Sequence, residues 1–251
     1  PCIDDLGAHP PIRFDPANAN FRAIYDLLAE AQRVAAGRYL IGLPDLVENF
    51  DILAAMMGPE QSLYAAVDQP DEVAERMEQI NQAYFAAYDA FYDLLADEHG
   101  CVVFDAFDLW GPGKVAKVQC DAAAILSPDL FERLVVPALT RQCDWLDLSM
   151  YHLDGEDALV HLDSLLAIEP LHAIEWTPRY SSVGDTGGDP KWYDLYRRIK
   201  SAGKAVQAIA VKPHEVIPLL DAVGPEGMSL YVGTPTQAEG EALLEKVQQY
   251  R

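Results

Sequence analysis

Residues 149–176, SMYHLDGEDALVHLDSLLAIEPLHAIEW, decide the fold. The apolar run 149–153 predicts a short strand that ends at Asp154-Gly155. Residues 158–168 then follow helical spacing, with Val160, Leu162, Leu165 and Leu166 as the apolar set. The run 171–176 predicts a second strand, uncharged until Glu175. Two short strands joined by one helix make a βαβ unit. The helix carries the chain back to the end where it started, so the two strands run parallel.

The same alternation extends in both directions. Downstream come a helix at 190–202 closed by Gly203, a strand at 205–211 and a helix at 214–223 ending at Gly224. A strand at 228–232 and a helix at 236–250 complete the chain, with Thr236 as cap and Glu239 three residues on. Upstream, Ser127-Pro128-Asp129 starts a helix over 127–146, preceded by a strand at 101–104. Before it runs a long helix over 71–99, whose Val73, Met77, Ile80, Tyr84, Tyr88, Phe91 and Leu95 recur at three- and four-residue steps. The strand at 38–43 and the apolar run 52–57 come earlier, and residues 1–36 offer only a weak strand at 11–14 and a helix at 21–36.

That reading gives six strands, each followed by a helix, with no Asn-Gly hairpin signal between them. A doubly wound sheet and a (βα)8 barrel both fit such a series. No GxGxxG or GxxxxGK[ST] opens a helix, which removes the usual nucleotide-binding signature and favours the TIM-type barrel. Six units are two short of eight. No repeat or low-complexity linker divides the chain, so the expectation is one α/β barrel domain over 1–251, incomplete at its N-terminus.

The 251 residues carry 40 acidic against 18 basic side chains, a formal charge of −22, and half of them are hydrophobic. Such a chain can bury a core, which excludes intrinsic disorder. Its field repels phosphate, which argues against nucleic acid or an anionic membrane surface as partner. No apolar run approaches the roughly 18 residues of a membrane helix. Residues 1–11 lack the basic-then-apolar pattern of a signal peptide. Cys2, Cys101, Cys120 and Cys143 show no CxxC spacing, which fits a reducing compartment, and the cytoplasm is the expected location.

In a parallel barrel the chemistry sits at the carboxyl ends of the strands. That rule selects Asp45, Asp105, Asp108 and Trp110, then His152, Asp154 and Glu156, then Glu175 and Trp176. Lys212, Tyr231 and Thr234 follow. An imidazole and two carboxylates on adjacent strands, His152, Asp154 and Glu175, form a set suited to metal binding or proton transfer. His161 and His172 read as packing or surface residues, and His214 as a helix cap. Cys101, Cys120 and Cys143 read as small buried hydrophobes, and Tyr84, Tyr88 and Phe91 as core. No GxSxG elbow supports a serine hydrolase.

Four segments carry a resemblance: Tyr151-His152-Leu153-Asp154-Gly155, Ala173-Ile174-Glu175-Trp176, Ser127-Pro128-Asp129-Leu130-Phe131, and DILAAMMGPEQSLYAAVDQP at 51–70. From Phe14 onward the chain resembles the uroporphyrinogen decarboxylase superfamily. The resemblance implies a (βα)8 barrel with two further βα units before the point where this chain begins. The decarboxylases of that superfamily use an N-terminal arginine-rich segment and an early Asp, both absent from 1–251. They also carry a His-containing glycine motif where this chain has Tyr231-Val232-Gly233-Thr234.

The other branch, the cobamide-dependent methyltransferases, binds zinc through a His-x-Cys pair, a Glu on the following strand and a later Cys. Here His152 matches the His, Glu175 stands where the Glu is expected, Asp154 replaces the first Cys, and no second Cys occurs at 231–234. The resemblance therefore implies an enzyme of the methyltransferase branch, with His152, Asp154 and Glu175 catalytic. His152 and Glu175 are the implied ligands of a divalent metal such as zinc, in a donor set hardened from N/S to N/O. Asp105, Gln119, Lys212 and Tyr231 are expected substrate contacts, with Trp110 and Trp176 as apolar walls. The implied partners are a methylated small molecule, a corrinoid carrier protein and a second copy in a homodimer. The alternatives are a cofactor-free tetrapyrrole decarboxylase and a non-catalytic barrel that binds a ligand or carrier.

Overall fold

Short polar side chains set the helix starts in the computed structural model, which describes residues 2–179 and 185–250. Asn18 accepts the backbone N–H groups of Asn20 (3.0 Å) and Phe21 (3.3 Å) and so begins helix α1, Ala19–Ala35. Helices α2 (Asn49–Met57) and α3 (Pro59–Asp68) are separated by Gly58 at φ 96°, a conformation open to glycine. Pro70 at the first helical position then opens α4, Pro70–Leu95.

The apolar stripe expected along α4 is buried, with Tyr84, Tyr88 and Phe91 inside it, and the Tyr88 hydroxyl donates to the Val115 carbonyl at 2.7 Å. The helix stops four residues short of His99. The Asp97 carboxylate takes the N–H groups of His99 and Cys101, both at 2.8 Å, and turns the chain into the next strand instead.

The chain divides into two compact units, 1–149 and 150–251. In the first, β1 (Gly42–Leu43) pairs parallel with β2 (Cys101–Phe104), and β2 pairs antiparallel with β3 (Leu109–Pro112). This hairpin corrects the expected strict strand–helix series. Its turn uses Phe107 and Asp108 at φ 62° and 51° rather than an Asn-Gly pair, so no sequence signal marked it. Residues 11–14 form no strand, and β1 is shorter than the expected 38–43. The Arg38 guanidinium is spent on the carbonyls of Val34 (2.8 Å) and Ala35 (3.2 Å), which holds residues 38–41 at the end of α1.

Strand β4 (Val115–Gln119), also unforeseen, is buried along its whole length. Ser127 caps α5 (Pro128–Leu130), a π-helical turn follows at Phe131–Val135, and α6 covers Val136–Trp145. Pro137 has no N–H for the carbonyl one turn back, and the turn before it widens accordingly.

Strand β5 (Leu148–Asp154) enters the second unit at Met150. There β5, β6 (Ala173–Thr177), β7 (Ala205–Val211) and β8 (Met228–Val232) lie parallel in that order. Helices α7 (Leu162–Ala167), α8 (Tyr193–Ser201), α9 (Val216–Val223) and α10 (Gln237–Val247) complete the α/β pattern. Lys204 is buried with its ammonium on the carbonyls of Ile168 (2.6 Å) and Leu171 (2.7 Å), which ties the end of α7 to the start of β7. No helix among the described residues is long and apolar enough to cross a membrane.

β7 carries a bulge at Ile209-Ala210, where Ala210 takes φ 57°. Gly187 sits on that bulge. It donates its N–H to the Ile209 carbonyl at 2.9 Å, and a Cβ on Gly187 would overlap the same oxygen. Gly187→Ala should therefore cost about 1–3 kcal/mol of unfolding free energy. Gly233→Ala, with open space around its Cβ, should be near neutral. Urea denaturation of both variants checks this, and equal stabilities would contradict the packing.

Candidate functional site

Alternation along β5 sends Tyr151 and Leu153 to one face of the sheet and His152 and Asp154 to the other. The parallel register then aligns His152 with Glu175, Glu175 with Gln207, and Gln207 with Ser229. One polar row so crosses all four strands of the second unit, with Asp154 and Thr177 paired at its carboxyl end.

Glu175 is fully buried and is held from both sides. His152 Nδ1 hydrogen-bonds Oε2, the ring N–H donating, and Thr177 Oγ1 donates to Oε1 at 2.7 Å. Burial holds the Glu175 carboxyl above the usual carboxylate range. The His152 and Thr177 hydrogen bonds oppose that rise, and Asp154 adds to it. A buried carboxylate behind an imidazole fixes the ring's orientation and stabilises its protonated form, the arrangement of a general acid or base.

The same bond bears on the implied metal. With Nδ1 and Oε2 bonded to each other, His152 and Glu175 do not fit as a pair of ligands on one ion. Glu175 instead fits the role of the carboxylate that orients a histidine. A ring nitrogen of His152 and an oxygen of Asp154 lie within 4.8 Å of each other, which offers one borderline nitrogen and one hard oxygen donor in this unit. No cysteine follows Cys143, so the second unit supplies no thiolate. The donor set is poor for zinc-activated thiol chemistry.

The remaining expected residues are placed as follows. Trp176 points to the face opposite Glu175 and packs edge-on against Trp192 at 4.7 Å, fully buried. Tyr231 shares the Ser229 face of β8 and is half exposed. Lys212 is exposed just past β7, with its backbone N–H on Glu215 at 2.8 Å. In the first unit, Asp105 is exposed at the end of β2 and donates its N–H to the Leu43 carbonyl at 2.9 Å. Trp110 is 67% exposed on β3, opposite Val103. His161 is buried and His172 exposed.

Gln119 ends β4 inside a second polar cluster. Lys117, 0% exposed, bonds the Gln119 amide oxygen (2.5 Å) and pairs with Asp45 (2.7 Å), whose own side chain is 46% exposed. The Gln119 N–H donates to Glu48 at 2.5 Å. The Asp51 carboxylate collects the Gln119 side-chain amide (3.2 Å) and the N–H groups of Asp121 (2.8 Å) and Ala122 (3.1 Å). Lys117, Glu48 and Asp51 were missed from sequence, as were Gln207 and Ser229. The one available signal was a polar residue interrupting an apolar run, Lys117 in VAKVQ and Gln207 in AVQAIAV.

No family profile matches the chain, and no curated protein matches it in sequence. Among solved structures, a methyltransferase from Methanosarcina mazei superposes with a TM-score of 0.63 at 12% sequence identity, covering 99% of this chain and 70% of that one. The chain has a methyltransferase-like fold.

With Glu175 accepting from the ring, the imidazole proton of His152 belongs on Nδ1. Long-range 15N–1H NMR of the ring should show a protonated Nδ1 in the wild type and tautomer exchange in Glu175→Ala. An unprotonated Nδ1 in the wild type would contradict the pairing.

Proposed function

We propose that this chain is a cytoplasmic methyl-transferring enzyme of the uroporphyrinogen decarboxylase-like superfamily, with that superfamily's (βα)8 barrel as its fold. It acts on a methylated small molecule together with a corrinoid carrier protein. The observation that carries the reading is the His152–Glu175 pair, set in a polar row on the sheet face of a chain whose fold is methyltransferase-like.

The residues divide the work by position. Glu175 holds the imidazole through Nδ1 and stabilises positive charge on it, and Thr177 fixes the far oxygen of the same carboxylate. His152 moves the proton: as the bond between methyl carbon and its oxygen or nitrogen breaks, the electron pair stays on the heteroatom, and the imidazolium donates a proton to it. Gln207 and Ser229 continue the row and offer neutral hydrogen-bonding groups for the substrate body. Asp154 lies beside His152, within 4.8 Å, and adds a second carboxylate at the ring. A corrinoid on the partner would supply the centre that takes up the methyl group, and no step on this chain is routed through a metal.

Tetrapyrrole decarboxylation is the second reading. It is favoured by the lack of any cysteine in the sequence of the second unit, and it would use the same pair to protonate the carbanion left by loss of CO2.

His152→Ala should lower turnover about 10²–10⁴-fold, the usual share of a general acid or base, in a variant that still folds but with a lowered thermal midpoint, because Glu175 loses its donor at Oε2. The assay follows the visible spectrum of a free corrinoid during incubation with methoxylated and N-methylated compounds. Full activity in the variant would remove His152 from the mechanism. Absence of methyl transfer by the wild type, together with CO2 release from uroporphyrinogen, would select the second reading.

A further inference from the structure

The bulge in β7 changes which residues share the face of the His152–Glu175 row. Side chains alternate along a strand, so residues an even number apart lie on one face of the sheet. Gln207 pairs with Ser229, and both belong to the row. Between the next pairs, Ala208 with Leu230 and Val211 with Val232, β7 takes three steps and β8 only two. The extra residue at Ile209-Ala210 reverses the alternation on β7. Val211, four residues after Gln207, therefore lies on the opposite face from it.

Burial agrees with that assignment. Val211 is buried, and its partner Val232 lines an apolar cavity with Leu230 and with Val216 and Leu220 of α9, on the helix side of the sheet. Lys212 follows Val211 and so returns to the face of the row, where Ser229 and Tyr231 are also exposed. In an unbulged strand Val211 would stand on that face and Lys212 would turn towards α9.

The surrounding loops hold this arrangement. Gly187 donates its N–H to the Ile209 carbonyl within the bulge at 2.9 Å. Glu215 accepts the Lys212 N–H on Oε2 and the Thr186 hydroxyl on Oε1, both at 2.8 Å. That carboxylate is spent on the backbone of Lys212 and not on its ammonium.

The ammonium itself has no partner among the described residues, in contrast to most cations of the second unit. Arg179, Lys191, Arg197 and Arg198 pair with carboxylates, and Lys200 and Lys204 hold backbone carbonyls. Lys246 also lacks a partner, but it belongs to α10, which lines the cavity on the helix side. Lys212 is thus the uncommitted cation, among the described residues of this unit, on the face that carries the row. In a chain of formal charge −22 it is the group there that attracts an anion.

We propose that Lys212 is a specificity-determining residue that binds a carboxylate of the substrate, at the end remote from the methyl group. Its place in the register is four rows beyond Gln207, about 13 Å along the sheet, and its flexible stem shortens that span. A small aromatic ring with a substituent at each end bridges the remainder. One ammonium balances one negative charge, which suits a carboxylate better than a doubly charged phosphate. The substrate class is then a methylated carboxylic acid. The methyl group in that statement rests on the methyl-transfer reading; the anion site rests on the strand geometry alone.

Binding of 4-methoxybenzoate and of its neutral counterpart, 4-methoxybenzyl alcohol, tests the site without turnover. Isothermal titration of the wild type should show the acid bound at least tenfold more tightly than the alcohol. Lys212→Met keeps the apolar stem at an exposed position and should bring the two affinities within about twofold, whereas Lys212→Arg should retain the preference. No binding of the acid by the wild type, or an acid preference that survives Lys212→Met, would overturn the proposal. Transfer of the methyl group of the acid to a free corrinoid is read separately. Its absence, with the Lys212-dependent preference intact, would count against the methyl-transfer reading and support the anion site.

Discussion

A carboxylate placed on the buried face of a parallel sheet must find its donors on that face, along its own strand or on the neighbouring ones. In the second unit that constraint falls on Glu175. Its backbone is committed to the ladder between β5 and β7, so its side chain is satisfied only from its own face. Register brings His152 alongside, and Thr177, two residues on, returns to the same face. A one-residue slip of β5 against β6 would set Tyr151 or Leu153 beside the carboxylate and leave its Oε2 without a donor. The ion-pairing that suits the site for proton transfer also fixes the strand register, and the surrounding apolar packing follows from that register.

Part of this was legible in the chain. The strands 101–104, 205–211 and 228–232 appear at the predicted residues, because short apolar runs close to Gly or Pro mark strands. His152 and Glu175 were legible for a related reason: each is the polar residue near the end of such a run. The hairpin of β2 and β3 was not, since Phe107 and Asp108 take left-handed backbone conformations that their identities do not announce. Strand β4 was hidden by Lys117 and Gln119. The acidic residues that allow their burial, Asp45, Glu48 and Asp51, lie far earlier in the sequence.

Trp176 illustrates the limit of reasoning from strand ends. It adjoins Glu175 in sequence, and the rule that gathers residues at the carboxyl end of a strand selects both. The pleat separates them, sending Glu175 to the polar row and Trp176 to Trp192 on the other face. Period-two alternation, applied strictly from His152 through the register, picks Glu175, Gln207 and Ser229 and rejects Trp176. The face of a residue therefore discriminates better than its distance from the strand end.

The two buried glutamates resolve the same electrostatic problem in different ways. Glu175 has a titratable donor, an imidazole, at one oxygen and a hydroxyl at the other, so its charge is shared with a group able to hold a proton itself. Glu48 has a backbone N–H at one oxygen and no hydrogen-bond partner among the described residues at the other, while the Lys117 ammonium is spent elsewhere. Burial raises both carboxyls, but only at Glu175 does a partner stand ready to exchange the proton. A carboxyl that shares its proton with a histidine is equipped for turnover. One buried beside an ammonium already committed elsewhere has no such partner among the described residues.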